Sequence, residues 1–233
     1  MISTMLLAYK EEENLRVLIP KIKEQLDSLG EEYEIVVIDT KEPTDNTKGA
    51  CEELGASYYN QEEPGFGGAY RKGISVIKGD KMLALDSDGS HDPKYIPSIY
   101  KRFTEGYDIV IGSRYTKGGT TSDAKSSQIM SSILNGVFRL FIGIKAKDLS
   151  TNFRMYRADV LKQIDLKCVN YDVLEEILLA MKIKIGKKDF KISEVPISFT
   201  KRIYGESKRR LIPFIISYIK TLFRLTAMRI RGK

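Results

Sequence analysis

The chain has 233 residues, 42% hydrophobic and 30% charged, which excludes a disordered segment and leaves room for one large domain with its own core. Its formal charge of +7 points to an anionic partner such as phosphates, nucleic acid or an acidic membrane surface. A single histidine, His91, excludes a histidine-built metal cage and most Ser/His or Cys/His catalysis.

In chain order, the hydrophobic pattern predicts a strand over 2–8 and a helix over 11–29, in which Asn14, Leu15, Leu18, Ile22 and Leu26 recur near the helical period. Residues 34–39 form a nearly continuous apolar run, as in a strand covered on both faces. A helix over 44–54 and a strand over 57–60 follow, then a helix over 66–77, a strand over 81–86 and a helix over 93–103. Residues 107–112 read as another buried strand. This alternation predicts an α/β fold with a mostly parallel sheet and helices on both sides. The second half predicts helices over 122–142 and 172–185, strands over 152–156 and 191–198, and a last helix over 208–231. No linker rich in Pro, Gly or Ser interrupts the chain, so a catalytic domain over 1–208 and a basic amphipathic tail over 209–233 are expected. Residues 1–8 lack the basic flank and the length of a signal peptide, and Cys51 and Cys168 make neither a metal spacing nor a disulfide framework. A reducing cytoplasm fits both features.

In parallel sheets ligands gather at the carboxyl ends of the strands. Glu11, Asp39, Asp86 and Asp88 all fall at such ends and should share one crevice. Asp86-Ser87-Asp88-Gly89 is the most informative segment, because side chains at i and i+2 of extended backbone leave the same face. Two carboxylates so close need a cation, and a hard divalent ion such as Mg²⁺ or Mn²⁺ suits oxygen ligands and bridges to substrate phosphates. Taken alone, Asp-x-Asp is an ordinary turn. The segment that follows it, Ser90-His91-Asp92-Pro93, and an ordered series of further motifs change that reading.

That series runs from Ala8-Tyr9-Lys10-Glu11, through Gly65-Phe66-Gly67-Gly68-Ala69-Tyr70-Arg71-Lys72-Gly73 and residues 86–93, to Gly112-Ser113-Arg114-Tyr115. Residues 148–157, Glu194-Val195-Pro196-Ile197 and 202–208 complete it. On these motifs the chain resembles the family 2 glycosyltransferases and, within them, the dolichol-phosphate mannose synthase-like (polyprenyl-phosphate glycosyltransferase) group. The resemblance implies a GT-A type nucleotide-sugar-binding fold and an inverting, metal-dependent hexosyltransferase. Asp86 and Asp88 would hold Mg²⁺ or Mn²⁺, while Arg202 and Lys208 would close over the donor diphosphate from a loop that also carries Gly205 and Ser207. Ala8, Tyr9, Glu11, Asp39, Gly67, Asp86 and Ser87 would contact the nucleotide. Arg114 and Ser131 would meet the acceptor phosphate, helped by Lys125 because the arginine usual four residues before that serine is Ser127 here. Asp148 and Glu176 would line the sugar pocket. The chain departs from the family at Lys10, which stands where Asn is usual, and over residues 38–45.

The resemblance implies mannose from GDP-mannose as the first donor, with glucose from UDP-glucose next, and a polyprenyl or dolichyl phosphate as acceptor. A phosphate monoester is already ionised near neutral pH and needs no strong base, which agrees with the scarcity of histidine. A soluble saccharide acceptor is the alternative within enzymes. A basic nucleic-acid-binding protein is the alternative from another class; it ranks low because aromatics and cations do not interleave outside the tail. A nucleotidyltransferase would carry its glycine-rich phosphate loop after the first strand, where none stands. In the tail, Lys220 and Arg224 argue against a spanning helix. Ser217, Lys220, Arg224 and Arg231 fall on one face, which with Arg229 suits a helix lying in an anionic interface. Docking on the chain's own body, on a membrane-protein partner or on a second copy is the competing expectation. Together these place the protein in the cytoplasm, peripheral at the cytoplasmic face of the membrane.

Overall fold

The computed structural model describes residues 1–204 and 211–232, apart from the side chains of 211–217. In chain order the first half runs β1 (Ile2–Leu7), α1 (Glu12–Asp27), β2 (Tyr33–Asp39), α2 (Thr47–Glu53), β3 (Ser57–Asn60), α3 (Gly65–Val76), β4 (Lys81–Asp86), α4 (Ile96–Phe103) and β5 (Ile109–Ser113). The second half runs β6 (Thr120–Thr121), α5 (Lys125–Ile142), β7 (Arg154–Arg157), α6 (Ala158–Leu161), α7 (Val173–Ile185), β8 (Ile192–Pro196), β9 (Ser198–Phe199) and α8 (Leu211–Arg231). Seven strands form the main sheet in the order β3-β2-β1-β4-β7-β5-β8, and β6 with β9 forms a separate parallel pair.

The apolar runs read from the sequence are explained by this sheet. Alternate residues of each strand serve opposite faces. Met5, Val36, Ile38, Met82 and Ala84 pack into one core with α3, α5 and α7. Leu6, Ile35, Val37, Leu83 and Leu85 pack into the other with α1 and α4. Leu7 pairs with Ile38 on one side and with Asp86 on the other, so the ends of β1, β2 and β4 lie at one level.

Three differences from the sequence reading have physical causes. The helix expected over 93–103 divides into a 3-10 turn, Pro93–Tyr95, and α4, because Pro93 and Pro97 each suit a helix start and lack the N–H an interior needs. The short strand expected over 152–156 is Arg154–Arg157, and it is antiparallel to both β4 and β5. The alternating pattern cannot report direction, since a buried strand has the same apolar run either way. The basic tail packs on the body: Tyr218 and Leu225 of α8 are buried in the core cluster that contains Phe138 and Ile142 of α5. Among the described residues no helix is long and apolar enough to cross a membrane.

Candidate active site

At the end of β4 the chain turns through Gly89, whose φ of +75° is one that glycine adopts without strain and where a Cβ would strike Ile203. Asp86 and Asp88 keep 33% and 16% of their side chains exposed. One oxygen of each is held from inside the protein. Asn152 Nδ2 donates to Asp86 Oδ1 at 3.1 Å, and the amide oxygen of Asn152 accepts from the Tyr70 hydroxyl. Ser90 donates to Asp88 Oδ1 from its backbone N–H at 3.0 Å and its hydroxyl at 2.6 Å. His91 lies beneath the motif, fully buried, and its Nδ1 accepts the Asp86 N–H at 3.1 Å. Its proton therefore sits on Nε2, which meets the Thr151 hydroxyl at 3.2 Å. Burial lowers the His91 pKa to about 3, so the ring is a neutral spacer that fixes the backbone of Asp86.

A segment from the far end of the chain lies over this turn. Thr200 N–H donates to the Ser90 carbonyl at 3.1 Å and Ile203 N–H to the Asp88 carbonyl at 2.9 Å. Arg202 is thereby brought to Asp88, with Nη2 at 3.3 Å from Oδ2. Lys208 lies outside the described residues. The donor set suits a hard divalent ion: two carboxylates two residues apart where β4 ends, both partly open to solvent. Among the described residues no third Asp, Glu, His or Cys joins them, which leaves coordination positions for phosphate and water oxygens.

Next to the carboxylates is the turn after β1. Ala8 is buried and its N–H donates to the Ile38 carbonyl at 2.8 Å, while Tyr9 is 43% exposed. Lys10 has φ +60°, a left-handed conformation that Asn tolerates better and that costs a lysine ~1 kcal/mol. The Asn usual in the family is thus explained by backbone geometry. Glu11 Oε2 accepts from Asn14 Nδ2 at 2.6 Å. A cleft of about 310 Å³ opens between this turn and the overlying segment, lined by Lys10, Glu11, Asp45, Arg202 and Tyr204. Asp39 is only 1% exposed. Burial raises its pKa, against the Thr40 N–H at 2.7 Å and the Tyr58 hydroxyl at 3.0 Å, which favour the charged form. Ser87 spends its hydroxyl on the Leu7 carbonyl at 2.6 Å, tying the end of β4 to β1.

Three residues assigned from sequence are engaged inside the protein. Gly67, assigned to the nucleotide, is a packing glycine: a Cβ there would run into the Cys168 carbonyl, and its N–H bonds the Val169 carbonyl at 2.8 Å. Asp148, assigned to the sugar, is 0% exposed and both its oxygens are taken by Arg114, from Nε at 2.8 Å and Nη2 at 2.9 Å. Burial pushes its pKa up, but the Arg114 bonds outweigh that and the net shift is downward. Glu176, also assigned to the sugar, is 1% exposed; it accepts the Cys168 N–H at 2.8 Å and pairs with Arg224 at 2.6 Å. At Asp148 and Glu176 a polar side chain that composition leaves unassigned is consumed by burial.

The remaining acceptor candidates are Arg114, after β5, and two residues of α5. Arg114 keeps Nη1 toward Asp123 at 3.5 Å, and its guanidinium lies over the Phe199 ring at 5.3 Å. Lys125 is exposed at the start of α5, with Ser131 half-buried further along the same helix. Two residues escaped the sequence reading. Asn152 lies within the 148–157 motif without a role of its own, and Asn14 was visible only as a polar residue on the buried face of a helix.

The family model described as "Glycosyl transferase family 2" matches residues 3–165. A dolichol-phosphate mannosyltransferase of Pyrococcus furiosus is 32% identical over 96% of this chain, which spans 63% of that protein's length. A polyprenol monophosphomannose synthase of Mycolicibacterium smegmatis is 30% identical over 86% of the chain and 77% of its own length. Among solved structures, glucosyl-3-phosphoglycerate synthase of Mycobacterium tuberculosis, in complex with Mn²⁺, UDP-glucose and phosphoglyceric acid, superposes with a TM-score of 0.74 at 20% identity. That match covers 97% of this chain and 80% of the other, and shows a shared fold.

Proposed function

The chain belongs to glycosyl transferase family 2, and from that premise we propose that it transfers mannose from GDP-mannose to a polyprenyl phosphate, with inversion, at the cytoplasmic face of a membrane. The observation that carries the reading is Asp86 and Asp88 at the end of β4 with Arg202 3.3 Å from the second carboxylate. This arrangement of anionic and cationic groups suits a bound diphosphate and its metal. The names of the curated relatives supply the sugar and the lipid phosphate.

Asp86 and Asp88 would hold Mg²⁺ or Mn²⁺, which when bound neutralises charge on the departing diphosphate. Arg202 would add a planar donor pair for phosphate oxygens. Lys208 would contribute a second charge from the same segment. The turn at Tyr9 and Glu11 would receive the nucleoside, with Ala8 and Asp39 beneath it. An ionised acceptor phosphate needs orientation and charge screening more than proton removal, and Arg114, Lys125 and Ser131 are the groups proposed for that task. His91 takes no part as a base, since it is buried with both ring nitrogens engaged.

Membrane association is supported by exposed apolar residues on two packed helices. α5 exposes Ile129, Ile133 and Leu140, and α8 exposes Ile219, Phe223 and Ile230. Apolar residues repeating along each helix in this way suit a lipid interface. The test is a donor screen with Mn²⁺ or Mg²⁺, reading product on a short polyprenyl phosphate. Mannosyl-phospholipid formed from GDP-mannose is the expected result. Transfer only to a soluble saccharide, or only from UDP-glucose, would replace this reading.

A further inference from the structure

The segment that carries Arg202 is held at its outer end by one buried side chain in the first turn of α1. Asn14 is 3% exposed. Its Oδ1 accepts the Tyr204 N–H at 3.1 Å, and its Nδ2 lies 3.4 Å from the Tyr204 carbonyl. The same Nδ2 donates to Glu11 Oε2 at 2.6 Å. A single amide thus touches the backbone of the overlying segment and the carboxylate at the turn after β1. The inner end of the segment is fixed separately, by Ile203 N–H on the Asp88 carbonyl at 2.9 Å and by the Ile203 side chain against Gly89. Arg202 is flanked by the Thr200 and Ile203 backbone bonds, and Asn14 holds the next residue, Tyr204, so it steadies the stretch that sets Arg202 over Asp88 from its far side.

We propose that Asn14 is a positioning residue for catalysis: it latches the segment 200–204 over the two aspartates and couples that segment to Glu11 at the nucleoside end of the site. The proposal rests on the glycosyltransferase reading above and deepens it. The chemistry of the amide explains the choice of residue. An acceptor is needed for a peptide N–H and a donor for a carboxylate, and a short amide supplies the two from separate atoms. Leucine or alanine, which the helix face would otherwise favour, would remove the bonds to Tyr204 and to Glu11. Aspartate would retain the acceptor but oppose Glu11.

The chain contains no tryptophan, so Tyr204→Trp places a unique fluorophore on the segment at an exposed position. In the full chain carrying that reporter, Asn14→Ala is expected to lower the fluorescence anisotropy and speed acrylamide quenching. In the wild-type background, Asn14→Ala is expected to reduce kcat about tenfold, as for one well-placed hydrogen bond, with donor KM changed far less. Thermal unfolding should remain cooperative. If Asn14→Ala does not fold, Asn14→Asp decides: it keeps an acceptor for Tyr204 and should preserve the reporter's anisotropy while raising donor KM through repulsion of Glu11. Unchanged anisotropy and kcat in Asn14→Ala, or an aspartate variant whose reporter is fully released, would overturn the latch. The fluorescence measurements need no substrate, so failure of wild-type transfer from GDP-mannose would overturn the donor assignment and leave the latch to stand or fall on anisotropy.

Discussion

Arg202 and Asp88 face each other across 3.3 Å, a guanidinium resting on a carboxylate oxygen that a divalent ion would also use. A divalent ion held by Asp88 would compete with Arg202 for that carboxylate, and Arg202 would then be available to phosphate oxygens. Arg202→Ala should lower turnover by about 1.5–3 kcal/mol, the range for hydrogen bonds to charged groups. The same variant should bind Mn²⁺ in the absence of donor at least as tightly as the wild type, because a competitor has been removed. Weaker metal binding would show that Arg202 supports the metal site instead of screening it.

Asp86→Ala and Asp88→Ala should each abolish transfer while keeping a cooperative melt, since removing one carboxylate relieves repulsion in the metal-free protein. Transfer kinetics with Mn²⁺ titration and a thermal melt test this. Normal activity of either variant in chelator-treated protein would remove the metal assignment.

The buried Arg114–Asp148 pair predicts an asymmetric response. Arg114→Met leaves a carboxylate with 0% exposure unpaired and should cost about 3–5 kcal/mol in urea unfolding near pH 7. In the intact pair the Asp148 pKa is held below its ordinary 3.8, so its contribution is present above that value and is lost as pH falls through the folded value. In Arg114→Met the side-chain bonds that lower that pKa are lost while the residue 114 N–H and Arg154 remain, so burial weighs more heavily, the pKa should rise, and the deficit should shrink on mild acidification. A deficit that is equal at pH 7 and pH 5 would show that packing, not charge, holds this part of the fold.

Gly67→Ala should destabilise by about 1–3 kcal/mol, because its Cβ must displace the Cys168 carbonyl. Nucleotide affinity of the folded fraction should be unchanged. An undisturbed melt with lost nucleotide binding would return Gly67 to the nucleotide site.

Vesicle binding should depend on the apolar face more than on the basic stripe. Arg224 is paired with Glu176, and Arg229 donates to the carbonyls of Leu140 and Phe141, which leaves Lys220 and Arg231 exposed to add ~1 kcal/mol each at an anionic surface. Ile133→Ser with Phe223→Ser should therefore reduce sedimentation with anionic vesicles more than Lys220→Ser does, and high salt should weaken binding only in part. Binding abolished by salt alone would show that the basic residues, not the apolar face, carry the association.

The strands and the position of the two aspartates were legible in the sequence because they depend on local pattern. The runs ending at Asp39 and Asp86 are apolar on both faces, as a buried parallel strand requires, and Asp86 and Asp88 stand where β4 ends and turns. The series of motifs then identified the chemistry. Nothing local told which buried polar group would satisfy which other. Asn14 and Tyr204 are 190 residues apart, Asn152 reaches Asp86 only because β7 enters the sheet antiparallel beside β4, and Arg114 is spent on Asp148. Periodicity reports that a residue is buried; the partner that makes burial of a polar group tolerable is chosen by packing across the whole chain, and only the tertiary structure decides it.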